Sequence, residues 1–307
     1  MTATDADAFV TQLVEETEPA ARRDRLVATL WRTPPWSGLH TMGRALFERL
    51  VTDHGDDLAA HSAQNTLALS AFARLMVAER NHGVAKEVAT TAGRAADRAD
   101  DPALTRLVRA LAIRTALGQG RLTWALEEAR TRWAYLDDEP PVMVVEQKLS
   151  LGLASIVGGD LDRAATHFAA VEDLVGRHDA HALGAWQRCR AHLGAAHVAL
   201  RRSRPMDSWE AARRAQHLIE AAPAPIEAVE VALLVNALGL LAGQPMETPR
   251  VLATLQAAAE QPALPGADFL SGLPAPLTGA TPDALARRLA AAAGQRATAA
   301  DPHGWLL

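Results

Sequence analysis

Three residues, Gly158-Gly159-Asp160, divide the most regular stretch of this chain into two amphipathic halves, 145–157 and 161–174. In the first half Leu149, Leu153, Ile156 and Val157 recur at three- and four-residue spacing, which puts them on one face of a helix. In the second, Ala164, Ala165, Phe168, Val171 and Leu174 form another such stripe. The glycines can take the positive φ that closes a helix, and Asp160 suits the N-cap of the next. The small residues Gly152 and Ala164 allow close approach of the two. The stretch therefore predicts a helical hairpin, and the rest of the chain is read as variations on it.

Similar breaks occur on both sides. Helices are expected over 58–79 and 84–98, separated by Arg80-Asn81-His82-Gly83, and over 103–117 and 122–136, separated by Gly118-Gln119-Gly120. Asp101-Pro102 supplies a cap and an N1 proline for the second pair. Further pairs are expected at 142–158 with 160–176, 180–201 with 207–221, and 225–242 with 248–260. Upstream, three short helices within 5–53 form an N-terminal cap spanning 1–57. Downstream, 262–307 reads as a Pro- and Gly-rich loop with a last helix from Thr281-Pro282-Asp283 to about Ala293. The fold class is all-α: alanine dominates, and the single Tyr and five Phe leave little to build sheets with.

The central hairpin resembles a tetratricopeptide (TPR) repeat. Leu151-Gly152, Gly159-Asp160, Ala164, Phe168 and Val171 stand at that family's motif positions; Lys148 replaces its Trp and Val171 its Ala. Leu-Gly recurs at 151–152, 193–194 and 238–239, 42 and 45 residues apart, against about 34 in the family. The extra residues are placed in the 201–208 segment and in Ala222-Pro223-Ala224-Pro225. The resemblance implies about five TPR-like pairs over 58–261, wound into a right-handed superhelix with helical caps at both ends. It also implies that the first helix of each pair lines a concave groove. Carrying the family's groove positions over marks Arg74, Arg114, Glu146, Arg188, His192 and Asn236 as ligand-binding candidates, with Leu111, Leu149, Leu153, Ile156 and Val198 between them.

Composition narrows the functions. A hydrophobic fraction of 49% is that of a globular chain, and a net charge of −5 with dispersed basic residues disfavours nucleic acid. Neither lysine, Lys86 nor Lys148, follows a glycine, so no phosphate loop of the G-x-x-x-x-G-K type exists. Cys189 is alone, which rules out an intrachain disulfide and a thiolate zinc cluster. His178, His181, Cys189, His192 and His197 lack carboxylates at matching positions, so no metal is expected. Asp137-Asp138-Glu139 runs into Pro140-Pro141 and reads as a solvated helix start; with no second acidic motif downstream, no catalytic residues are assigned. Trp124 and Trp209 are assigned to packing, and Trp36 to a partner contact. No apolar run reaches membrane-span length and 1–8 has no signal-peptide pattern, so the expectation is a soluble cytoplasmic protein.

Taken together, these readings predict a non-enzymatic module without a cofactor, binding a peptide, a partner protein or an acidic small molecule in the groove. The resemblance points to the sensor or adaptor portion of bacterial TPR-containing regulators. The alternative is an all-α enzyme of bacterial specialised metabolism with its site inside the superhelix. A structural homodimer, built by pairing the helices of 5–53 between chains, is a third possibility.

Overall fold

In a computed structural model, the residues described are 62–78, 82–131, 141–177, 185–220, 231, 235–236, 238–239 and 242–244. They are 89% helical, with no strand among them, and the fold class is all-α. Eight helices follow one another: α1 (Ser62–Ala78), α2 (His82–Ala99), α3 (Pro102–Gly118), α4 (Leu122–Arg130), α5 (Pro141–Val157), α6 (Leu161–Arg177), α7 (Ala185–Arg201) and α8 (Pro205–Glu220). The N-terminal cap, the helix at 281–293, Trp36 and most of the fifth pair lie outside the described residues.

Helices that follow one another pack together, and so do α1 with α3, α3 with α5 and α5 with α7. That packing is compatible with a helical repeat in which α1, α3, α5 and α7 form a row and the second helices lie against it. Burial follows the same division. In α2 the buried residues are Ala85, Val88, Ala89, Ala92, Ala95 and Ala96, one stripe at helical spacing. In α5, by contrast, nearly every residue from Met143 to Ile156 is buried, including Glu146, Gln147 and Ser150. A helix enclosed on all sides is what an inner row requires, and it carries its polar groups inward with it.

Four described turns use the same device. The N–H groups of Arg121, Asp160, Arg204 and Gln244 all bond back to the carbonyl five residues earlier, at Ala116, Ser155, Ala199 and Gly239, over 2.8–2.9 Å. The residue before each donor has positive φ: Gly120 at 71°, Gly159 at 79°, Ser203 at 58° and Gly243 at 74°. This is the left-handed helix end that glycine tolerates best. Ser203 alone holds it with a Cβ, so Ser203→Gly is expected to stabilise the chain by about 0.5–1 kcal/mol. A thermal melt showing no rise in Tm contradicts this.

These turns correct the expected repeat spacing. The turn donors Arg121, Asp160, Arg204 and Gln244 follow one another at intervals of 39, 44 and 40 residues. The 201–208 segment holds no extra length, because residues 202–204 make a three-residue turn like 119–121 and 158–160. Helices of 16–18 residues absorb part of the longer interval, and Ala222-Pro223-Ala224-Pro225 lies outside the described residues. Two caps form as expected. Asp101 accepts from the N–H groups of Ala103 (2.8 Å) and Leu104 (3.3 Å), and Asp160 from that of Arg163 (3.0 Å). The second helix of the next pair is shorter than expected: α4 stops at Arg130, where Thr131 turns extended with ψ 136°.

The pairs interlock around aromatic rings. Phe168 on α6 lies against two glycines: a Cβ at Gly152 would stand 2.8 Å from its ring, and one at Gly194 2.4 Å. Gly239 meets Trp209 in the same way, 3.1 Å from the indole nitrogen. Trp209 thus packs against the core as expected. Trp124 does not; it is 38% exposed, with the Arg121 guanidinium 5.7 Å from its ring centre.

Candidate functional site

Four first helices send charged side chains to one place. Glu146 on α5 is fully buried. Its Oε1 accepts a 3.2 Å bond from Nη1 of Arg74 on α1, and its Oε2 a 2.6 Å bond from Nη1 of Arg114 on α3. Both arginines are buried to 2% exposure. Arg190 on α7, also buried, is near enough to repel both guanidiniums. Burial lowers the Arg114 pKa to about 10; Glu146 opposes that shift, and Arg190 and Arg74 add to it. Arg74 is lowered for the same reasons, with burial again the largest.

Contact between Arg74 and Glu146 spans two places in the row, from α1 past α3 to α5. The long arginine stem makes this reach possible. Beside them lies a cavity of about 10 Å³ lined by Arg114, Arg190, Leu149, Leu153 and Phe168. That is room for about one water. Its walls join fixed cationic donors to aliphatic and aromatic surface, a combination suited to an acidic group with an apolar neighbour.

The six residues expected from sequence therefore divide. Arg74, Arg114 and Glu146 come together in a buried cluster. Arg188 and His192 instead approach Glu172 on α6, with Arg188 Nε 3.9 Å and His192 Nε2 3.6 Å from its Oε2. Asn236 lies in the helical residues 235–236, partly buried. Leu111, Leu149, Leu153, Ile156 and Val198, expected between the groove residues, are all buried in the core. Arg190 and Phe168 were not among the expected site residues. Arg190 follows Glu146 by the same 44 residues that separate the turn donors Asp160 and Arg204. Counting from the turns rather than from Leu-Gly pairs finds it.

The second cluster is only partly buried. Burial raises the Glu172 pKa against the pull of Arg188 and Arg214. Burial, with Arg188 and Arg214, lowers His192 to about 4. His167, through burial, Lys148 and Arg163, and His197, through burial and Arg201, are also lowered to about 4. A histidine kept neutral in the fold stabilises it fully above the free value of 6.5 and loses that contribution as pH falls toward about 4. Glu172, with its raised pKa, acts in the opposite sense. With three groups against one, the urea midpoint is expected to fall between pH 7 and pH 4, and His197→Gln to flatten the fall. A midpoint constant over that range contradicts this.

No known protein family matches the chain, and neither does any curated protein or solved structure. Among the described residues no group of three or more His, Cys, Asp or Glu is placed to hold a metal ion, and no helix is long and apolar enough to cross a membrane.

Proposed function

We propose that this chain is a non-enzymatic binding module of TPR-like helix pairs, acting as an adaptor or sensor in the cytoplasm. Its row of first helices winds into a superhelix, and the inner side takes an acidic group of a peptide, a partner protein or a small molecule. One observation carries the reading: Arg74 and Arg114, from two helix pairs, both bond Glu146, and Arg190 from a further pair joins Arg114 in lining a cavity of mixed polarity. Guanidinium groups recognise carboxylate and phosphate through fixed, charge-assisted donors, and burial strengthens each such bond. Collecting these donors from separate pairs makes recognition depend on how the pairs are arranged, which is what an adaptor or sensor needs.

The test is ligand and partner recovery from the full chain by affinity capture and native mass spectrometry, using wild type, Arg190→Gln and Arg188→Ala. Thermal melts confirm that each variant is folded. The expected result is an acidic ligand or acidic partner segment held by wild type and by Arg188→Ala, and lost in Arg190→Gln. Unchanged recovery in folded Arg190→Gln removes the reading.

A further inference from the structure

The site proposed above already contains an acid, and the inference here rests on that reading. Glu146 is fully buried, and each of its oxygens bonds an arginine from a different helix. The repeat does not require an acid at this place. Counting back from the turn donors, Glu146 stands fourteen residues before Asp160, and Leu107 stands fourteen before Arg121. An aliphatic side chain serves there in the preceding pair.

The cavity continues along the same face of α5, where Leu149 and Leu153 follow Glu146 by three and seven residues. At about 10 Å³ it holds about one water, so a carboxylate or phosphate group does not fit while Glu146 keeps its position. We infer that Glu146 is an internal occupant of the arginine site, an intrachain carboxylate standing where the acidic group of a ligand binds, so that binding exchanges one anion for another. The exchange gives the two buried guanidiniums a new anion in place of the Glu146 carboxylate. It also makes the empty module closed and self-inhibited. Arg190 and Phe168, which line the cavity, receive the incoming group and the apolar atoms next to it.

The experiment is thermal denaturation of the full chain in inorganic phosphate against chloride of equal ionic strength. Removing the internal competitor exposes the site to the added anion. In Glu146→Gln the phosphate-induced rise in Tm is expected to exceed that of wild type by about 4 °C. Glu146→Asp, which keeps the charge on a shorter stem, is expected to fall between the two. Adding Arg190→Gln to Glu146→Gln abolishes the gain. If Glu146→Gln is unfolded in chloride, phosphate is expected to restore its folding. Equal phosphate responses in wild type, Glu146→Asp and Glu146→Gln overturn the inference, and so does an unfolded Glu146→Gln that phosphate does not rescue. Ligand recovery by wild type without any Glu146→Gln gain refutes the internal occupant and leaves the binding module standing. A Glu146→Gln gain in a chain that recovers no ligand does the reverse.

Discussion

Replacing Glu146 with alanine is expected to lower the unfolding free energy by about 3–5 kcal/mol in urea denaturation. Arg74 and Arg114 are buried to 2% exposure, and Glu146 bonds both through separate oxygens. Its removal takes the carboxylate from two buried guanidiniums at once. The loss belongs to the broken cluster rather than to the worth of the ion pairs themselves. The triple variant Arg74→Met, Glu146→Leu, Arg114→Met replaces the whole cluster with apolar groups and is expected to return close to wild-type stability. If Glu146→Ala costs less than about 1 kcal/mol, the value usual for an exposed pair, the cluster is not buried as described.

Gly194→Ala has the second large expected effect. Its new Cβ would stand 2.4 Å from the Phe168 ring, closer than nonbonded atoms approach. The ring cannot retreat easily, since Gly152 sits close against it as well. The backbones of α6 and α7 must then separate, at an expected cost of about 2–3 kcal/mol after the usual gain from alanine in a helix. Gly93→Ala is the natural control. Its Cβ would meet only Val108 Cγ1, at an ordinary 3.7 Å, so a gain of about 0.5–1 kcal/mol is expected there. In a Phe168→Leu background Gly194→Ala becomes nearly neutral, and a double-mutant cycle measures the difference. Equal effects of Gly93→Ala and Gly194→Ala contradict the interlock.

Helix positions were legible because the breaks are written in local chemistry. Gly120 and Gly159 take the positive φ that ends a helix, and Asp101 and Asp160 cap the next one. Register was harder to read. The Leu-Gly pairs look like a repeat mark, yet their glycines serve different neighbours and stand at different heights. Gly152 precedes the turn donor Asp160 by eight residues, Gly194 precedes Arg204 by ten, and Gly239 precedes Gln244 by five. Counting 42 residues from Glu146 along the Leu-Gly interval lands on Arg188, while the 44-residue turn interval lands on Arg190. A two-residue error rotates a helical side chain by more than half a turn, which moves it from the cluster to the Glu172 side of α7.

Whether the site residues are open or enclosed was not legible at all. Arg74, Arg114 and Glu146 were selected as lining residues, and the structure brings them together. Nothing in their spacing says that they pair with one another, because 72 residues separate Arg74 from Glu146. That contact depends on how α1, α3 and α5 pack together, which residue spacing does not record. Ser203 is a smaller case: a serine with φ 58° does a glycine's work and leaves no local sign of it.

The most direct measurement is a double-mutant cycle between Arg74 and Glu146, using Arg74→Met, Glu146→Leu and the double variant in urea denaturation. The buried Arg74–Glu146 contact predicts strong coupling, about 2 kcal/mol or more, between residues 72 positions apart. Single-variant effects that add to within about 0.5 kcal/mol would contradict the convergence on which the site, its proposed ligand chemistry and the role of Glu146 all stand.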